Sequence, residues 1–122
     1  MITNSKLNDL SKKALTFCLQ NVLSLNGNVK INRLEILKQI NCADVTIEET
    51  PYYCIIKFIH DGITCDAFDK TIDVQVLKED RIPIVFHLHF NNNLLVEFEY
   101  YKADSSEIDK DIFTGDMEVV IN

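Results

Sequence analysis

Residues 84–101 read Ile84-Val85-Phe86-His87-Leu88-His89-Phe90-Asn91-Asn92-Asn93-Leu94-Leu95-Val96-Glu97-Phe98-Glu99-Tyr100-Tyr101. Two runs rich in aromatic and β-branched residues flank three asparagines, the pattern of a β-hairpin. Loop length decides which side chains enter the core, because a slip of one residue turns a whole strand over. With a two-residue loop, Asn91-Asn92 or Asn92-Asn93, the Phe86, Leu88 and Phe90 face would also carry Leu95, Glu97 and Glu99. Carboxylates would then point inward. A three-residue loop, Asn91 to Asn93, instead sets Phe86, Leu88 and Phe90 opposite Phe98, Val96 and Leu94. The apolar face is then complete, and asparagine tolerates the left-handed conformation such loops need. The pattern predicts this second register, which places His87 across from Glu97 on the outward face, with His89, Glu99 and Tyr101 nearby.

Upstream, alternation predicts three more strands. Val45 and Ile47 alternate with Asp44, Thr46 and Glu48 up to Pro51; Tyr53 to His60 stops at the turn signal Asp61-Gly62; and Ile72, Val74 and Val76 alternate with Asp73 and Gln75 before Lys78-Glu79-Asp80-Arg81. Ahead of residue 42 the period is helical. Leu7, Leu10, Ala14, Phe17, Cys18, Val22 and Leu25 form one stripe over residues 5–25, with Ser5 as cap and Asn26-Gly27-Asn28 as stop. Asn32 and Glu35 stand at capping-box spacing before a shorter stripe of Leu34, Leu37 and Ile40, while Val29 and Ile31 alternate like a strand. The expected fold is therefore α+β: N-terminal helices packed on one face of an antiparallel β-meander of about five strands. We expect one domain over residues 1–122, helical in 5–40, sheet in 42–101 and an acidic segment in 103–122.

Composition bounds the function. The chain has 122 residues, 47% hydrophobic and 25% charged, enough for one core without disulfide staples. No apolar run approaches the length of a membrane span, and the N-terminus lacks an export-signal pattern, so a cytoplasmic protein with no membrane partner is expected. Cys18, Cys42, Cys54 and Cys65 are spaced 24, 12 and 11 residues apart, which gives no C-x-x-C metal or redox pair. Cys18 and Cys54 read as small core residues. Residues 1–40 carry a net charge of +4 and the remaining 82 a net of −11. That division opposes direct nucleic-acid binding by the sheet half and favours a basic partner, because complementary potentials speed encounter.

Candidate chemistry is sparse. His87-x-His89 projects two imidazoles to one side, and Glu97 could complete a divalent-metal set for a small hydrolase or ligand-binding domain. A histidine opposite a glutamate is also an ordinary cross-strand pair. Glycine-rich phosphate loops and G-x-S-x-G elbows are missing from the sequence, and no cofactor is expected. A Cys-His nucleophile pair would need Cys54 with His60, about 20 Å apart along one strand, or Cys65 brought back to His60 by a tight turn. Tyr52, Tyr53, Tyr100 and Tyr101 read as two pairs with one ring inward and one outward, leaving Tyr53 and Tyr101 for a partner. The acidic stretch Asp104, Glu107, Asp109, Asp111, Asp116 and Glu118 reads as a solvated tail or as a mimic of nucleic-acid charge.

The run from Ile72 to Ile108, with Ile-Pro-Ile-Val-Phe-His-Leu-His-Phe followed by Leu-Leu-Val-Glu-Phe-Glu-Tyr-Tyr-Lys-Ala-Asp, resembles the C-terminal half of small bacterial immunity proteins. These belong to contact-dependent growth inhibition and related polymorphic toxin systems. The resemblance covers about a third of the chain and rests on hairpin patterning. It implies a cytosolic protein that binds and blocks one cognate toxin domain, often a basic nuclease; no catalytic role is expected, and a monomer within that complex is one expected state. The expected partner-binding residues are His87, His89, Glu97, Glu99, Tyr101, Asp104, Glu107, Asp109 and Asp111.

Overall fold

The computed structural model describes residues 1–25, 32–79 and 81–122. The Asn26-Gly27-Asn28 stop, the Val29 and Ile31 alternation, Asp80 and the side chain of Leu25 lie outside the described residues. Among the described residues, two helices, α1 (Asp9–Leu25) and α2 (Arg33–Cys42), precede six strands: β1 (Asp44–Glu49), β2 (Tyr53–Ile59), β3 (Lys70–Leu77), β4 (Ile84–Asn91), β5 (Leu94–Lys102) and β6 (Glu118–Ile121). All pair antiparallel in one sheet of order β1-β2-β5-β4-β3-β6. The α+β class is as expected. The order is not that of a simple meander, because β2 pairs with β5 and the chain must cross the sheet to begin β3. The sixth strand comes from residues expected to be tail.

The helices start differently from the sequence reading. Asn8, not Ser5, caps α1: its Oδ1 accepts the Ser11 N–H at 2.8 Å while its Nδ2 donates to Glu49. Asn32 does cap α2, accepting from the Leu34 N–H at 2.8 Å. The buried stripe of α1 runs through Ser11, Ala14, Leu15, Cys18, Leu19 and Val22, so Leu15 and Leu19 join it while Leu10 and Phe17 sit at its margin. On α2 the buried pair is Ile36 and Ile40, and Leu34 is exposed. Asn4, buried beside it, donates to the carbonyls of Ile40 and Ala43 at 2.9 and 3.0 Å and so satisfies the end of α2.

The core lies between these helices and one sheet face. Ile56 and Phe58 of β2, Val74 and Val76 of β3, Phe86, Leu88 and Phe90 of β4, and Leu95, Phe98 and Tyr100 of β5 meet α1 and α2 there. Phe86 packs on Phe98, Tyr100 and Phe113 with ring centroids 5.6–6.1 Å apart. Phe113 also meets Phe17 of α1 at 4.9 Å, and Ile112 is buried. The acidic segment is therefore built into the fold. Two of its carboxylates pair with cations of the same chain, Asp109 with Lys102 at 3.0 Å and Asp111 with Arg81 at 3.1 Å.

The hairpin register is a correction. Asn92 and Asn93 both have positive φ, 50° and 66°, and form a two-residue turn that pairs Asn91 with Leu94 and Phe90 with Leu95. One step further the ladder shifts: His89 faces Glu97, Leu88 faces Phe98, His87 faces Glu99 and Phe86 faces Tyr100. The shift takes one extra residue of β5 into a bulge at Leu95-Val96, and both side chains are buried. The bulge restores the in–out alternation that a plain two-residue loop would invert. Carboxylates stay out of the core, as the pattern requires, by a different device from the one expected.

Candidate functional site

The outward face of β3, β4 and β5 carries two hydrogen-bonded chains. In the first, Asp73 of β3 pairs with His87 Nδ1, and His87 Nε2 meets the Tyr101 hydroxyl at 2.8 Å. A carboxylate can only accept, so His87 donates from Nδ1 to Asp73, and its Nε2 shares a hydrogen bond with the Tyr101 hydroxyl. Burial, with the Glu99 and Asp73 charges adding to it, holds the Tyr101 phenol above its ordinary value. In the second chain Thr71 Oγ1 lies 2.8 Å from His89 Nδ1, and His89 Nε2 lies 2.9 Å from Glu99 Oε1 and 3.7 Å from Glu97 Oε2. The bulge sets this arrangement, since it puts Glu97 across from His89 and Glu99 diagonal to it.

The connection from β2 to β3 completes the face. His60 and Ile63 exchange backbone hydrogen bonds of 3.0 and 3.2 Å around Asp61-Gly62, as the turn signal predicted. Further on, Phe68 stacks on the His89 ring with centroids 4.2 Å apart, and Asp66 approaches Lys57 of β2 at 3.9 Å. His89, Glu97 and Glu99 are consequently well shielded, their side chains 11%, 15% and 26% exposed. Burial raises the Glu97 carboxyl above its ordinary value; Glu99 and Asp66 act in the same sense, while His89 and Lys57 oppose them.

Toward β2, the same face opens into a concavity of about 360 Å³ lined by Tyr52, Tyr53, Ile55, Glu99, Tyr101 and Ser105. Glu48 of β1 stands at its side and accepts the Tyr53 hydroxyl at 2.7 Å, which raises the Tyr53 phenol. Tyr100 points inward, as expected of its pair. Tyr52 and Tyr53 break the expectation: neither enters the core, because Cys54 takes the inward position of that strand.

The sequence-derived candidates therefore divide. His87, His89, Glu97, Glu99 and Tyr101 share one face, but the set His87, His89 and Glu97 does not form. His87 is held by Asp73 and Tyr101, and Glu99 joins His89 and Glu97 in its place, with ligand atoms of all three within 4.8 Å of one another. Asp109 and Asp111 bind Lys102 and Arg81. Asp104 accepts the Ser106 N–H, and Glu107 is exposed beside a second cavity near Pro51 and Ile108. Cys18 and Cys54 are buried thiols, and burial pushes both upward. Cys65 bonds the Ala67 carbonyl and His60 the Leu95 carbonyl, so neither forms a Cys-His pair. Thr71, Asp73 and Phe68 were missed because their contacts depend on strand order and on the crossing loop. The bulge did leave a signal: Leu94-Leu95-Val96 breaks the strict alternation.

No protein-family model matches the chain, and neither the curated proteins nor the solved structures contain a match to it. No helix among the described residues is long and apolar enough to cross a membrane.

Proposed function

We propose that this protein is a non-catalytic inhibitor of the immunity type, which binds a cognate basic toxin domain, such as a nuclease, in the cytoplasm. The observation that carries the reading is the tyrosine-lined concavity flanked by Glu99 and Glu48 on the outer sheet face. Tyrosine rings offer large, stiff contact surfaces and attract guanidinium or ammonium groups over their faces. A carboxylate at the wall would pair with the same cation. An arginine or lysine from a basic domain is thus the natural anchor, and the net charge of −11 beyond residue 40 would steer the encounter. His87 supports the face by fixing the Tyr101 hydroxyl.

The test is direct binding to toxin domains encoded beside this gene, followed by calorimetry. Saturable binding that slows in association as salt rises, and that weakens at least about tenfold in Tyr52→Ala with Tyr101→Ala, supports the reading. Failure of every basic candidate to bind, or binding indifferent to the tyrosines, overturns it.

A further inference from the structure

We propose that His89, Glu97 and Glu99 form a binding site for one divalent transition-metal ion of the Zn2+ or Mn2+ type, independently of any protein partner. The three ligand atoms come from paired strands of a rigid sheet and lie within 4.8 Å of one another. Zinc bonds to imidazole nitrogen and carboxylate oxygen are about 2.0–2.2 Å long, so tetrahedral ligand atoms sit about 3.3 Å apart. The His89 Nε2 separations of 2.9 Å to Glu99 and 3.7 Å to Glu97 bracket that figure.

The surroundings favour a cation. The charges acting on Glu97 are Glu99, Asp66, His89 and Lys57. Two carboxylates, Glu97 and Glu99, meet the single imidazole of His89 within a partly shielded patch where electrostatic interactions are stronger than in water. The second nitrogen of His89 is already positioned. The Thr71 hydroxyl at 2.8 Å from Nδ1 can accept as well as donate, so the ring keeps its partner when Nε2 gives its lone pair to a metal. Phe68 covers the imidazole and fixes its plane. The imidazole selects a transition ion over Mg2+ or Ca2+, which prefer all-oxygen sets. The fourth position is left for water or an exogenous donor.

The experiment is a Zn2+ titration by calorimetry, after chelator treatment, in a background with the accessible thiols removed (Cys42→Ser and Cys65→Ser). One equivalent should bind. Affinity should be lost in His89→Ala, fall about 10–100-fold in Thr71→Val, and persist in His87→Ala. If His89→Ala unfolds, imidazole 15N spectra of the unaltered protein decide the matter: Zn2+ should shift Nε2 of His89 and leave His60 and His87 in place. Binding without saturation at one equivalent, or a response at another histidine alone, overturns the site.

Discussion

The side-chain carbonyl of Gln39 accepts the backbone N–H of Leu95 at 2.9 Å, so a residue of α2 meets a β5 donor that lies beyond the last β2–β5 pair, Lys57 with Glu97. The same glutamine donates to the Asn93 carbonyl at 3.1 Å, and His60 Nε2 takes the Leu95 carbonyl at 2.7 Å. Both backbone polar groups of Leu95 are thus met by side chains from outside the hairpin. Since the bulge sets which residue faces His89, these two side chains position the outer face without belonging to it.

Gln39→Ala is therefore expected to destabilise the protein by about 1–3 kcal/mol, the usual cost of leaving a buried amide unpaired. Urea denaturation measures the loss. Amide exchange at Leu95 should accelerate more than exchange in β3, and uniform acceleration would count against a local role.

Tyr100 and Ser11 form a second pair worth cutting. Their hydroxyls lie 3.0 Å apart inside the core, and burial holds the tyrosine phenol well above its usual range. Tyr100→Phe should cost about 1–2 kcal/mol by leaving the Ser11 hydroxyl only its weak contact with the Cys54 thiol at 3.8 Å, and Ser11→Ala added to it should cost less than the sum of the single changes. A double-mutant cycle of unfolding free energies gives the coupling.

At the hairpin turn, Asn93 occupies φ 66°. Asn93→Gly should preserve or slightly raise stability, whereas Asn93→Val should cost about 1–2 kcal/mol, because a branched side chain fits the left-handed region poorly. Thermal melts of the two variants should shift in opposite directions or at least separate clearly.

The carboxyls of Asp44, Asp104 and Asp111 are held below their ordinary value of 3.8 by hydrogen bonds from Lys6, Ser106 and Arg81 respectively. For such groups the unfolded chain binds the proton more tightly. Their contribution to stability is present above that ordinary value and is lost as pH falls through the lower folded values. The urea midpoint should drop between about pH 5 and about pH 3, less steeply in Asp111→Asn. All three groups are exposed, so added salt should shrink the effect.

Thiol labelling checks the packing of α1 against β2. Cys42 is exposed and Cys65 half-buried, whereas Cys18 and Cys54 lie in the core. Two thiols should react promptly under native conditions and two only on unfolding. Prompt reaction of a third would mean that α1 separates from the sheet.

The local half of this structure was legible in the residues. Alternation located β2 through β5 to within a residue or two, the capping of α2 by Asn32 followed from its side chain, and the demand that Phe86, Leu88 and Phe98 share a face kept the carboxylates outward. That demand is local chemistry: a buried glutamate costs too much to be tolerated unpaired. It fixed the face but not the register, because a three-residue loop and a two-residue loop with a bulge satisfy it equally. Only the tertiary structure distinguishes them, and there the bulge residue Leu95 is bonded by Gln39 and His60, which lie 56 and 35 residues from it in sequence. The same holds for the site. Sequence placed His87, His89, Glu97, Glu99 and Tyr101 on one surface, but strand order brought Asp73 to His87, the crossing loop laid Phe68 on His89, and the bulge gave His89 its two carboxylates. Such contacts join residues that carry no mutual signal in a single chain, so they arise only when the strands pair.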